Sequence, residues 1–401
     1  MDFQLPDEVN ALRDRIRTFV DTRLIPLESE QDSFDAHGNL RLDILQQVRE
    51  EARQNGLWAL QMPTERGGGG LSMTAMAACY EEMNRSIFGP VCFNSAAPDD
   101  GNMMVLNKIG TEAQKTRWLQ PIIDGKVFSA FSMTEPAPGS GSDPAGMMRT
   151  TAERHGDRWV INGHKWFITG AEVAEHFIVI ARTSDDPRRG LTAFIHHRDD
   201  PGWHIRRRIP ILGPEEHGGH CELIYDGLEI PDDQVLMGEG LGLKVTQIRL
   251  GPARLTHCMR WMGLARRAME IAADYVADRQ AFGRPLQSIE SVQQMLGNVA
   301  LRIEVARLLT MKAAWCLDQG SFARPEISAA KITASEVLHE AVDTAIQLCG
   351  ARGYSTDTPL EWMYRYARQA RLVDGSSEVH RMVLSRAFLE RRSAFWRWSA
   401  D

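Results

Sequence analysis

The segment Leu372-Val373-Asp374-Gly375-Ser376-Ser377-Glu378-Val379-His380-Arg381 sets an acid directly after an apolar pair and directly before a glycine. A carboxylate so placed can take a proton from carbon, and an Asp-Gly pair taken alone can equally be a turn. The small-residue loop Gly139-Ser140-Gly141-Ser142-Asp143 reads by itself as a surface turn, although its glycines would let main-chain N–H groups approach an anion. His217 and His220 have no third convergent ligand in the sequence and are expected to be polar loop residues. Glu65-Arg66-Gly67-Gly68-Gly69-Gly70 is followed by no Lys-Ser or Lys-Thr, so it is not a phosphate-binding P-loop.

Three stretches must position these groups. From Pro6 to about Leu119 helix formers dominate, with apolar spacings of three and four at Val9, Leu12, Ile16 and Val20. Between about Val127 and Met237 come short β-prone runs, among them Phe177-Ile178-Val179-Ile180-Ala181 and Leu191-Thr192-Ala193-Phe194-Ile195, parted by turn residues. After Gly238-Glu239-Gly240 long helical patterns return, and Val292, Leu296, Val299, Ile303, Ala306 and Thr310 form a stripe suited to a core or a subunit interface. The expected architecture is α+β, with a helical domain over 1–126, a β domain over 127–237 and a helical bundle over 238–401. No alternating βαβ pattern and no Gly-x-Gly-x-x-Gly after a strand points to a dinucleotide fold.

Bulk composition bounds the function. The chain has 401 residues, 43% hydrophobic and 25% charged, which is enough apolar material for two or three domains with a buried core. A net charge of −7 argues against nucleic acid as the main partner, and Arg206-Arg207-Arg208 is expected on a solvated strand face. Six scattered cysteines without a Cys-x-x-Cys pair fit a reducing compartment. The start has neither a secretory nor a transit pattern, and no apolar run approaches the roughly 20 residues of a membrane span, so a cytoplasmic location is expected.

The order helical domain, β domain, helical bundle, together with the Asp374 segment, resembles the acyl-CoA dehydrogenase family from the first helix to about Arg386. Phe131-Ser132-Met133-Thr134-Glu135-Pro136 resembles the family's aromatic-x-x-Thr-Glu-Pro element, and Gly163 to Gly170 resembles its flavin-packing strand. The resemblance implies FAD as cofactor. It places Phe131, Met133, Thr134, Gly141, Ser142, Phe167 and Thr169 around it, with Phe167 standing where many members carry Trp. Arg279-Gln280-Ala281-Phe282-Gly283 resembles the family's Arg-x-x-Phe-Gly motif, whose Arg reaches the pyrophosphate of a neighbouring subunit's FAD. Gln347, Gly350 and Ala351 fall on the segment that wraps that cofactor, Ala351 replacing a glycine. Ser376 and Glu378 are implied as further cofactor contacts, and Ser142, Arg254 and Gly375 as substrate contacts. A shared site implies a homo-oligomer, a dimer or tetramer.

In the same resemblance Asp374 is the base, where most members have Glu. The alternative family position for the base is here Ala253, which takes no proton. The implied reaction is α-proton abstraction and β-hydride transfer, turning an acyl-CoA into a trans-2-enoyl-CoA, with an electron-transfer flavoprotein as acceptor. The segments Ala97 to Met103, His217 to His220, Arg249 to Arg254 and His257 to Arg260 look like a branch associated with 4-hydroxyacyl-CoA and 4-phosphoacyl-CoA, often fused to a kinase-like domain. Two other readings share the scaffold. One is a flavin oxidase of the nitroalkane-oxidase type, which also uses Asp; the other is a non-catalytic flavoprotein.

Overall fold

The computed structural model describes residues 4–141 and 143–397. Its first helix, Asp7–Phe19, begins after Pro6 with Asp7 and Glu8 in the first turn, where acids favour a helix N-terminus, and it buries Val9, Ile16 and Phe19. Met73–Met83, whose N-cap Ser72 accepts from the Ala75 N–H, is instead buried from Ala75 to Met83. It runs between other helices, and Gly263 of the long helix Gly242–Asp278 lets the two backbones close up. A Cβ there would stand 2.2 Å from the Glu81 carbonyl oxygen. Glu82 in this crowded place accepts from Arg17 (2.9 Å) and from Arg266 (3.0 Å), so its charge is matched.

Residues 128–236 form an eight-stranded sheet. Its strands are β1 (Phe128–Ser132), β2 (Thr151–His155), β3 (Arg158–Thr169), β4 (Ala174–Arg182), β5 (Leu191–His197), β6 (Trp203–Arg208), β7 (His220–Pro231) and β8 (Val235–Leu236). The order is β6-β7-β3-β2-β4-β5-β8, with β1 added parallel to β4, Phe131 facing Ile178. β4 is buried almost throughout, which its unbroken apolar run requires. β6 is an edge, and its Arg206 and Arg207 pair with Glu222, an arrangement that keeps an open edge charged. The ladder of β3 against β7 carries a register shift between Lys165 and Ile168.

Three long helices, Gly242–Asp278, Glu290–Asp318 and Arg324–Cys349, and the shorter Leu360–Gln369 and Ser377–Arg391 complete the chain. Val292, Val299, Ile303, Ala306 and Thr310 are buried and Leu296 is half-buried, so the stripe faces the core. One apolar core joins the first and last helical regions, and a second lies between the first region and the sheet. The architecture is the expected one: helices, a β domain, then a helical bundle. Among the described residues no helix is long and apolar enough to cross a membrane.

Candidate active site

Asp374 lies in the turn between Leu360–Gln369 and Ser377–Arg391, with φ +52°, followed by Gly375 at φ +98°. A left-handed aspartate stores strain and persists only if its surroundings hold it. Arg254 Nε donates to the Asp374 carbonyl at 2.7 Å. Lys331 Nζ, fully buried, donates to the Gly375 carbonyl at 2.7 Å and to the Ala370 carbonyl at 3.0 Å. Burial pushes this ammonium down to about 8, so it still carries its charge at neutral pH. Ser376 caps the next helix by accepting from the Val379 N–H. A side chain at Gly375 would press on His380, its Cβ 3.2 Å from Nε2. Among the described residues nothing accepts from the Asp374 N–H.

The Asp374 carboxylate meets His257, Oδ2 to Nε2, at 3.5 Å. Arg260 approaches the other ring nitrogen, Nη2 to Nδ1, at 3.3 Å. A guanidinium can only donate, so Nδ1 is the acceptor and the ring hydrogen sits on Nε2, facing Asp374. Burial pushes the His257 imidazole down more than Asp374 lifts it, which keeps it neutral. Burial alone would raise Asp374, but the His257 bond and the nearby charges of Arg249 and Arg254 outweigh it and hold the carboxyl well below the usual range.

Asp374 opens on a cavity of about 90 Å³ to which all three regions contribute. Ala97, Pro98, Asp100 and Gly101 come from the first, Thr169, Glu216 and His220 from the second, and Arg249, Ala253, His257, Arg260, Tyr366 and Gln369 from the third. Two further acids line it, and each is tied to a basic side chain. Asp100 takes a bond from Arg260 at 2.9 Å. Glu216 stands 2.9 Å from His220. Burial opposes both charges of this second pair, yet their mutual attraction lowers Glu216 to about 2 and raises His220. Asp374 alone faces a neutral partner.

Beside the cavity the sheet offers a surface for a flat group. The shift in β3 turns Phe167 out, at φ +52° and 45% exposed, with Phe131, Met133, Thr134 and Thr169 half-buried around it. The Thr134 carbonyl accepts from the Trp166 N–H at 3.0 Å, and Glu135 clamps the following loop through the N–H groups of Ser140, Arg149 and Thr150 and through Lys165. Gly139 has to be glycine, since a Cβ would lie 2.5 Å from Glu135 Oε2, whereas Gly141 faces open space. The Thr169 hydroxyl is engaged with His220 Nδ1 at 3.0 Å; the exposed strained ring of Phe167, the Thr134 hydroxyl and an open glycine could take a flavin with its phosphates. Ser142 lies outside the described residues.

Arg279, Phe282, Gln347, Gly350, Ala351 and Glu378 are not brought to this cavity; all six are exposed, Phe282 to 94%. Conversely, the structure adds His257, Arg260, Lys331, Glu216 and Arg249, to which the sequence assigned no role at the site. A signal for part of this set exists. Arg249, Thr256, His257 and Arg260 fall at helical spacing, a largely polar stripe interrupted by Ala253 in a helix otherwise well buried.

Three family models match consecutive parts of the chain: acyl-CoA dehydrogenase N-terminal domain over 6–126, middle domain over 130–228 and C-terminal domain over 240–389. The Mycobacterium tuberculosis protein "Probable acyl-CoA dehydrogenase FadE2" is 38% identical, with 98% of each chain covered. "Acyl-CoA dehydrogenase family member 11" of Gallus gallus is 37% identical over 93% of this chain, which spans about half (49%) of that relative's length. The structure of butyryl-CoA dehydrogenase from Megasphaera elsdenii superposes with a TM-score of 0.85 at 28% identity, covering 97% of this chain and all of that one (100%).

Proposed function

Because the chain belongs to the acyl-CoA dehydrogenase family, we propose that it uses FAD to convert an acyl-CoA to the trans-2-enoyl-CoA with Asp374 as the base. The observation that carries this is the contrast among the acids of the cavity. Asp100 and Glu216 are bound in ion pairs, while Asp374 meets an uncharged imidazole and is 20% exposed at its side chain. It is the carboxylate best placed to accept a proton.

FAD, when bound, supplies the acceptor for the β-hydrogen and its electron pair. The chain does the rest. Asp374 takes the α-proton on its carboxylate, and its unengaged N–H is positioned to donate to the thioester oxygen as charge builds there. Arg254 and Lys331 fix the turn that carries Asp374. Phe131, Met133, Thr134, Gly141, Phe167 and Thr169 would hold the flavin from within the subunit, with Ser376 and Glu378 near it. Arg279, Phe282, Gln347, Gly350 and Ala351 would reach the cofactor of a neighbouring copy. The last region's exposed apolar side chains, Phe282, Leu301, Leu308 and Trp315 among them, support such an oligomer. An electron-transfer flavoprotein would take the electrons onward.

The wall of the cavity mixes apolar groups such as Pro98, Ala253, Trp261 and Val373 with polar ones, among them Asp100, Glu216, Arg260 and Gln369. A plain alkyl chain would desolvate these groups without return, which favours a 4-hydroxyacyl-CoA or 4-phosphoacyl-CoA over an unsubstituted one. The deciding experiment is an anaerobic titration of the FAD-loaded protein with acyl-CoAs that include 4-hydroxyacyl-CoAs. Bleaching of the visible flavin band is the expected result. No bleaching by any thioester, with peroxide formed from another substrate in air, would turn the reading to an oxidase.

A further inference from the structure

Arg249 is 5% exposed and lines the cavity that holds Asp374. Only its Nε is engaged, donating to Asn102 Oδ1 at 3.1 Å; among the described residues no carboxylate lies within 4 Å of its guanidinium. The group is nonetheless held firmly. Its Cζ sits 4.3 Å from the centre of the Phe131 ring. Asn102 is itself fixed by a 2.9 Å bond to Ser129, and Ser129 donates to buried Asp99 at 2.6 Å. A rigid fork with two idle ends therefore lines the cavity.

The charges around it do not cancel. Arg260 is satisfied by Asp100, and His220 by Glu216. That leaves Arg249, half-buried Arg254 and buried Lys331 around the single carboxylate of Asp374; Lys331 donates to two main-chain carbonyls and Arg254 Nε to a third, and of the two guanidinium groups it is Arg249 that lines the cavity. A buried guanidinium left unpaired is costly, and one with two parallel N–H ends is shaped for a carboxylate or a phosphate.

We propose that the terminal nitrogens of Arg249 form a subsite for a negatively charged substituent on the acyl chain. This rests on reading the cavity as the acyl site, and it selects an anion over a neutral hydroxyl. The shared chemistry is an oxyanion with two adjacent acceptors, carried as a carboxylate or as a phosphate ester.

The test compares the FAD-loaded wild type on valeryl-CoA, glutaryl-CoA and 4-phosphovaleryl-CoA, following anaerobic flavin bleaching for kcat/KM. One of the two anionic thioesters is expected to exceed valeryl-CoA by about tenfold or more, as a charge-assisted pair would give, and its identity names the substituent. Arg249→Gln should erase that preference, lowering kcat/KM for the favoured anionic thioester by about tenfold or more beyond its effect on valeryl-CoA, and Arg249→Lys should keep part of the preference. A wild type that favours valeryl-CoA overturns the subsite even if the variants fail to fold. So does an Arg249→Gln variant slowed equally on all three, which would make Arg249 a helper of the reacting thioester itself. Bleaching by none of the three removes the dehydrogenase reading and the subsite with it, an outcome distinct from bleaching by valeryl-CoA alone.

Discussion

His257 Nε2 and Asp374 Oδ2 stand 3.5 Å apart, and the hydrogen between them belongs to the histidine because Arg260 occupies its other nitrogen. Asp374 is thereby aimed without being neutralised. Asp is one methylene shorter than Glu, and its backbone here is held in the left-handed region at φ +52°.

Asp374→Asn keeps the shape of the turn and removes the proton acceptor. Flavin reduction by acyl-CoA should fall by about 10³-fold or more, with FAD still bound and its visible spectrum intact. Stopped-flow reduction on the loaded protein checks this, and a near-normal rate would exclude Asp374 as base.

His257→Gln tests the aim. The native carboxyl is held below its ordinary value of about 3.9, so its stabilising effect is present above about pH 4 and fades as pH falls through the lower, folded value. The wild-type reduction rate should accordingly stay level from neutral pH down to about 5 as far as Asp374 is concerned. The variant should be slower by about tenfold and should acquire a falling acid limb. Parallel pH profiles for the two proteins would remove His257 from this role.

The Glu216–His220 pair sets a different window. Glu216 is lowered to about 2, so its contribution exists above about pH 4.5 and is lost as pH drops toward that value; His220 is raised, so its contribution is full below about 6.5 and is lost above its folded value. Thermal melts of wild type and His220→Gln should therefore differ most between about pH 5 and 6.5 and converge in alkali. A difference that grows steadily with pH would contradict the pairing.

Lys331→Met strips a donor from the buried carbonyls of Ala370 and Gly375. Each unsatisfied carbonyl costs about 1–3 kcal/mol, so the variant should lose about 2–6 kcal/mol in denaturant unfolding and slow flavin reduction, because the Asp374 turn loosens. Unchanged stability would show that water replaces the ammonium freely.

Phe282 stands 94% exposed at φ +53° beside Arg279. Phe282→Asp should reduce the mass seen by light scattering and release FAD together. A variant that keeps both would place the cofactor within one chain.

The three-part architecture was legible because its signals are local. Helical spacing, short β-prone runs and turn residues are written within tens of residues, and Asp374 is marked by its immediate neighbours. The long helix Gly242–Asp278 even carried its polar stripe in plain spacing, but nothing in the sequence said what Arg249, His257 and Arg260 would face. Tertiary structure decided that. It set His257 against Asp374, Arg260 against Asp100 and Lys331 under Gly375, pairs drawn from distant segments, and brought the nearby Glu216 and His220 together on the same cavity. It also left Arg249 with two free ends. Whether a charged side chain is a partner, a support or a binding group depends on which charges the fold brings within a few ångströms, and one chain order permits many such arrangements.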